Sequence, residues 1–72
     1  MPEPFGAVIR RHREALGLTI YALAKATNMN QSHLTRIESG EQGQPGSRGV
    51  TLDVAQRLCR ALGISLAEFD QD

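Results

Sequence analysis

Four residues that end helices divide this sequence into short helical segments. Gly17, Asn28, Gly40 and Gly63 each close a stretch in which apolar side chains recur at helical spacing. Glycine and asparagine readily adopt the left-handed backbone with which many helices end. No run alternates strictly between apolar and polar residues, as a half-buried strand does, apart from the ambiguous run 49–52. The sequence therefore predicts an all-α fold, a compact bundle of four to five short helices.

Each predicted helix begins next to a residue suited to its first turn. Pro4 precedes helix 1, where its missing N–H costs nothing, and Thr19, Asn30 and Thr51 offer side-chain oxygens that can cap helices 2, 3 and 4. Residues 40–50, with four glycines and one proline, are predicted to form a Gly-rich loop. The predicted ranges are 5–16 for helix 1, 20–27 for helix 2, 31–39 for helix 3, 52–62 for helix 4 and 65–69 for a short helix 5.

The core of so short a chain has to be simple. The 72 residues are predicted to form one domain, 1–72, and a domain of this size buries only about 60% of the surface of its unfolded chain. Because three residues are aromatic, Leu, Ile, Val and Ala must supply most of the core. Cys59, the single cysteine, is expected inside, and one cysteine excludes an internal disulfide. The expected core residues are Phe5, Ile9, Leu16, Leu18, Leu23, Ala24, Met29, Leu34, Ile37, Leu52, Ala55, Leu58, Leu62, Ile64, Leu66 and Phe69.

The residue pattern offers little for catalysis, metal binding or a membrane. His12 and His33 lie on different predicted helices without Cys, Asp or Glu at ligand spacing, and Ser32 beside His33 lacks an acid that would orient the histidine. We therefore expect no enzymatic activity, no metal and no cofactor. No apolar run approaches the roughly 18 residues that span a bilayer, and the first residues lack the features of a signal peptide. A cytoplasmic protein without a membrane partner is expected.

Helices 2 and 3 have the spacing of a helix-turn-helix. Ala24 is small where the next helix must approach closely, and Asn28 lies in a turn of about three or four residues. Leu34 and Ile37 form a narrow apolar stripe on an otherwise polar helix 3. This helix pair is therefore the candidate functional element.

Three segments in this order resemble the Xre/Cro class of phage-repressor-type DNA-binding domains. They are LTIYALA at 18–24, NQSHLTRIESG at 30–40 and ALGISL at 61–66, the last followed by Phe69. The resemblance covers about residues 5–69, apart from the Gly-rich loop. It implies a lambda-repressor-like fold with a central helix-turn-helix, in which helix 3 enters the major groove of double-stranded DNA.

The resemblance also implies roles for individual residues. Carried over position by position, Gln31, Ser32 and Arg36 are the candidates for base contacts, since glutamine can pair bidentately with adenine and arginine with guanine. It implies a salt bridge between Arg13 and Glu38 that ties helix 1 to the end of helix 3. Contacts to the DNA backbone, or secondary contacts, are implied for Thr19, Ile20, His33, Thr35, Arg13, Lys25 and Arg48.

Two features depart from the pattern of this class. The position of Ile20 usually carries a glutamine that holds a phosphate, so only backbone amides remain for that contact. An exposed isoleucine there would instead touch a sugar or a thymine methyl. The 40–50 loop is longer than usual, and its glycines indicate a segment that becomes ordered on DNA or on a protein partner.

The charge distribution along the sequence indicates how strongly the chain can bind DNA. The formal net charge is zero, yet residues 1–36 carry +3 and residues 37–72 carry −3. Phosphate contacts supply most non-specific affinity for DNA, so this modest positive half predicts weak binding by a monomer and a need for a homodimer. The leading hypothesis is a sequence-specific transcriptional regulator, a repressor on a two-fold operator. The alternative is an antitoxin-type or protein-binding helix-turn-helix module with weak or no DNA binding of its own. Its protein partner would contact the 40–50 loop or the acidic C-terminus.

Overall fold

Four α-helices make up the fold of the residues that the structure describes. The computed structural model describes residues 4–40, 45–46 and 48–65. Within these ranges the helices are α1 (Phe5–Ala15), α2 (Ile20–Ala26), α3 (Gln31–Glu38) and α4 (Leu52–Leu62), and no strand occurs. The all-α prediction is confirmed. None of these helices combines the length and apolar character needed to cross a bilayer.

The helix boundaries differ from the predicted ones by a single residue at three ends. Helices 1, 2 and 3 were predicted to include Leu16, Thr27 and Ser39, but these residues are the C-caps that follow the last helical residue. The range of α4 agrees with its prediction. Residues 66–69 of the predicted helix 5 lie outside the described residues.

The predicted N-caps are present. The side-chain oxygen of Thr19 accepts a hydrogen bond from the backbone N–H of Ala22 at 3.0 Å. Asn30 does the same for Ser32 at 2.8 Å, and Thr51 caps α4. These bonds satisfy N–H groups that have no partner within the helix, so the sequence alone determines where three of the four helices begin.

The turn between α2 and α3 depends on Asn28. This residue has a φ of +56°, in the left-handed region that asparagine tolerates better than most residues. The chain reverses there, and the N–H of Met29 donates to the carbonyl of Ala24 at 2.8 Å. The turn therefore brings α3 across α2 in the arrangement that the spacing predicted.

One buried cluster holds the four helices together. Both α1 and α2 pack against α3 and against α4. Leu18, Met29 and Ile64 are half-buried against this cluster, as expected. The buried cluster comprises Phe5, Ile9, Leu23, Ala24, Leu34, Ile37, Val50, Ala55, Leu58, Cys59 and Leu62.

The core prediction is wrong at two leucines and incomplete at two valines. Leu16 and Leu52 are each 57% exposed, because one lies beyond the end of α1 and the other on the first turn of α4. Val8 and Val50 were not predicted in the core, yet both are buried, Val50 completely. The expected core residues Leu66 and Phe69 lie outside the described residues.

Helices α1 and α3 approach each other closely at Gly6. This glycine is buried, and a Cβ added to it would overlap the carbonyl oxygen of Ile37 and lie 2.9 Å from its carbonyl carbon. Only a residue without a side chain fits between the two backbones. Gly6 therefore sets the distance between α1 and the helix that carries the candidate site.

Candidate functional site

Helix α3 presents a polar face to solvent. Leu34 and Ile37 are completely buried, whereas four polar side chains on the opposite side of the helix are exposed. Because successive residues are about 100° apart around a helix, the exposed residues share one side. They are the three predicted base-contact residues together with Thr35, namely Gln31, Ser32, Thr35 and Arg36. We call these four residues the polar face of α3.

Two polar side chains on this face, those of Gln31 and Arg36, point to solvent. In the described part of the chain, the side chains of Gln31 and Arg36 take part in no hydrogen bond or ion pair. Ser39 bonds the backbone carbonyl of Arg36 at 2.8 Å rather than its guanidinium. An amide and a guanidinium are thus both available to a partner outside the molecule.

An ion pair borders this face on the side of α1. Arg13 donates from Nε to Glu38 Oε2 at 2.8 Å and from Nη2 to Oε1 at 3.0 Å. Its Nη1 donates to the carbonyl of Leu18 at 2.8 Å. The two side chains are only 12% and 6% exposed. The hydrogen bond to the Glu38 carboxylate raises the pKa of Arg13 above its ordinary value, although burial opposes this.

This arrangement separates two roles that the family resemblance gave to Arg13. The ion pair with Glu38 ties α1 to the end of α3, as expected. Its donors are directed at Glu38 and at the Leu18 carbonyl, and little of the side chain is exposed. The contact with the DNA backbone implied for Arg13 stays a prediction. Arg10, one turn earlier, is exposed and pairs with Glu14 at 3.2 Å.

An open cleft lies beside the ion pair, between α1 and the polar face. Its lining includes Arg10, Ile20, Thr35 and Ser39. The expectation of an exposed isoleucine is wrong, because Ile20 is half-buried and packs against the core. An apolar residue at the start of α2 gains more from the core than from water, so only its edge reaches the cleft.

The end of the Gly-rich loop, at Gly49, borders the polar face on the other side. Nε2 of His33 lies 2.7 Å from the carbonyl oxygen of Gly49, and His33 is half-buried. The N–H of Gly46 donates to the carbonyl of Val50 at 2.7 Å. Arg48 lies exposed between these contacts. Residues 49 and 50 are thus in contact with α3 and with Gly46 within the chain.

Helix α2 contributes a cation beside the first turn of α3. The ammonium of Lys25 lies 5.6 Å from the centre of the Tyr21 ring, within the range of a cation–π contact. Both residues line an opening that also includes Gln31. Thr19 is exposed at the start of α2. Sequence reasoning had not singled out Tyr21, although its spacing of four from Lys25 is a recognisable helical pair.

The remaining chemistry-bearing residues lie apart from one another. Cys59 is buried in the core, as predicted. In residues 4–40, 45–46 and 48–65, no group of three or more His, Cys, Asp or Glu side chains is arranged to hold a metal ion. The feature that stands out is therefore the polar face of α3, bordered by the Arg13–Glu38 pair and by the docked end of the loop.

The fold and the order of its elements are shared with known proteins. Residues 4–71 match the model of a family described as a helix-turn-helix domain. In structure the chain is similar to the clp gene regulator ClgR from Corynebacterium glutamicum, with a TM-score of 0.75 and 29% sequence identity. That match covers 90% of this chain but 63% of the other, so this chain spans less than two thirds of the regulator's length. No sequence match was found among curated proteins.

Proposed function

Because the chain belongs to the helix-turn-helix domain family, we propose that it binds double-stranded DNA through the polar face of α3 and regulates transcription. The observation that carries this proposal is the contrast along α3 between two completely buried aliphatic side chains and a continuous exposed polar face. A helix seated on the core in this way presents its other side to the major groove, which is wide enough to admit it. The similarity to a gene regulator supports the same reading. The narrower assignment to the Xre/Cro class is part of the proposal.

Base contacts are assigned to Gln31, Ser32 and Arg36. Gln31 and Ser32 form the first turn of α3, the part of a recognition helix that reaches deepest into the groove. Arg36 lies one turn further along the same face. A bidentate contact of glutamine with adenine, or of arginine with guanine, discriminates against other bases by about 1–3 kcal/mol.

Phosphate contacts are assigned to the residues that surround the polar face. Lys25 lies on the side of α2, Arg48 on the side of the loop, and Thr19 at the start of α2. Thr35 and the exposed edge of Ile20 line the cleft toward α1 and are assigned secondary contacts. Arg13 supports these DNA contacts indirectly, because its hydrogen bonds to Glu38 hold the end of α3 in place.

We propose further that the protein is a repressor and that it binds DNA as a homodimer. A single copy offers few cations to DNA, and each phosphate contact adds only modestly to affinity. Two copies related by a two-fold axis would place two α3 helices in successive major grooves, with half-sites about 34–36 Å apart. Occupancy of such an operator would block transcription.

The experiment is selection from a randomised DNA library at about 0.15 M salt, followed by measurement of Kd for the selected site and each single-base variant of it. The test variant is Arg36→Ala. Its matched control is Arg57→Ala, which removes the same charge from an exposed arginine on α4 that pairs with Asp53 at 3.0 Å.

For the wild-type chain we expect an enriched inverted repeat. Arg36→Ala should lose about 1–3 kcal/mol at one base pair of each half-site and relax specificity there, whereas Arg57→Ala should keep the same preferences. Equal weakening on every sequence would reassign Arg36 to a phosphate. The absence of any enriched sequence would contradict the proposal and favour a module that binds only proteins.

A further inference from the structure

The hydrogen bond between His33 and Gly49 joins the polar helix to the loop that follows it. The two residues are 16 apart in sequence, and the bond links a side chain on the first turn of α3 to a loop carbonyl. A histidine on this helix is therefore engaged within the molecule, with its Nε2 directed at the loop.

The position of His33 around the helix shows where Gly49 lies. At about 100° per residue, His33 falls between the buried Ile37 and the exposed Arg36. The Gly49 carbonyl that His33 contacts thus lies at the edge of the polar face, on the side opposite the Arg13–Glu38 pair. Arg48 directly precedes Gly49, and consecutive Cα atoms are only ~3.8 Å apart. Its backbone is consequently held beside the same edge.

The loop is also held immediately after this point. The side chain of Val50 is completely buried, and its carbonyl accepts from the N–H of Gly46 at 2.7 Å. Val50 fixes the chain to the core, but glycine at 49 leaves the intervening backbone free to rotate. The contact from His33 removes that freedom.

We propose that His33 is a positioning residue that holds Gly49 so that the guanidinium of Arg48 contacts a DNA phosphate at the edge of the major groove. This inference rests on the proposed function. Without the contact from His33, the backbone at Gly49 is free to rotate, and the guanidinium of Arg48 is then not held at the phosphate. His33 therefore acts on DNA through Arg48 and makes no base contact of its own.

The test measures how DNA affinity depends on salt for the wild-type chain, His33→Ala, Arg48→Ala and the double variant. Each lost phosphate contact lowers the slope of log K against log salt by about 0.9 on duplex DNA. Between 50 and 200 mM salt this corresponds to roughly a threefold smaller loss of affinity. We expect Arg48→Ala to show this change, His33→Ala to approach it, and the double variant to show no more than Arg48→Ala alone.

A conservative variant separates positioning from a general structural role. In His33→Gln the side-chain amide retains an N–H that can donate to the Gly49 carbonyl, so we expect a slope closer to the wild type than that of His33→Ala. Thermal unfolding of each variant controls for folding. If His33→Ala does not fold, the comparison of His33→Gln and Arg48→Ala with the wild type, together with the amide chemical shifts of Arg48 and Gly49, still decides the question.

The outcomes distinguish this inference from the proposed function. A wild-type chain without salt-dependent DNA binding would overturn the proposed function and the inference with it. Normal binding by the wild type with an unchanged slope in Arg48→Ala or in a folded His33→Ala would overturn the inference alone. Additive losses in the double variant would mean that His33 contacts DNA itself.

Discussion

Removing the Arg13 side chain tests whether the buried ion pair holds α3 in place. Arg13→Ala deletes the two hydrogen bonds to Glu38 and the one to the Leu18 carbonyl. It leaves a carboxylate that is 6% exposed without its cation. Breaking one partner out of a buried pair costs about 3–5 kcal/mol, because the remaining charge is uncompensated.

That cost is large for so small a domain. A chain of 72 residues has a free energy of unfolding of roughly 4–11 kcal/mol. Loss of the pair should therefore remove between about a quarter and all of the stability. The magnitude follows from burial, since an exposed ion pair contributes only about 0–1 kcal/mol.

The assay is urea unfolding followed by circular dichroism, with Arg10→Ala as the matched control. Arg10 lies on the same helix one turn earlier, also pairs with a glutamate, and is 63% exposed. We expect Arg10→Ala to cost less than about 1 kcal/mol. The double substitution Arg13→Met with Glu38→Leu should recover much of the loss, because it leaves no unpaired charge.

Equal costs for Arg13→Ala and Arg10→Ala would refute this reasoning. They would mean that the Glu38 carboxylate finds water or another donor at little cost, so that the pair does not tie α1 to α3. A double substitution no more stable than Arg13→Ala would assign the loss to the alkyl part of the side chain instead.

Two further substitutions test contacts on which the site depends. Gly6→Ala should destabilise the protein by about 1–3 kcal/mol in urea unfolding, because the new methyl group would overlap the Ile37 carbonyl. Alanine is favoured over glycine in an open helix by about 1 kcal/mol. A gain in stability of that size would therefore show that α1 and α3 are not in close contact. Val50→Ala should cost about 2 kcal/mol through the methyl groups removed and the cavity left in the core, whereas Val54→Ala, at a half-buried position, should cost less. Equal losses at the two valines would mean that the loop end is not docked.

Much of the local structure could be predicted from the sequence because its causes lie within a few residues. The caps at Thr19, Asn30 and Thr51 each act on an N–H two or three residues away. The left-handed turn at Asn28 is a property of that residue type. The polar face of α3 was also predictable, since helical periodicity alone places the polar residues opposite Leu34 and Ile37.

Tertiary packing decided what surrounds that face. Leu16 and Leu52 are apolar and correctly spaced, yet they are exposed, because no other helix of the described residues covers the helix ends at which they lie. Val50 stands among glycines and polar residues, and only the folded chain shows that the core receives it. The Arg13–Glu38 pair was expected from the family resemblance rather than from residue spacing.

The sequence by itself determined where the helices begin and turn, and which side of α3 is polar, because these features depend on neighbouring residues. Only the tertiary structure decided that Gly6 must be a glycine, that Ile20 turns toward the core and that His33 contacts Gly49. Each of these depends on atoms brought together from distant parts of the chain, as when the His33 ring meets a carbonyl 16 residues away. Such contacts depend on how the helices pack against one another. The residue spacing along a single helix does not determine that packing.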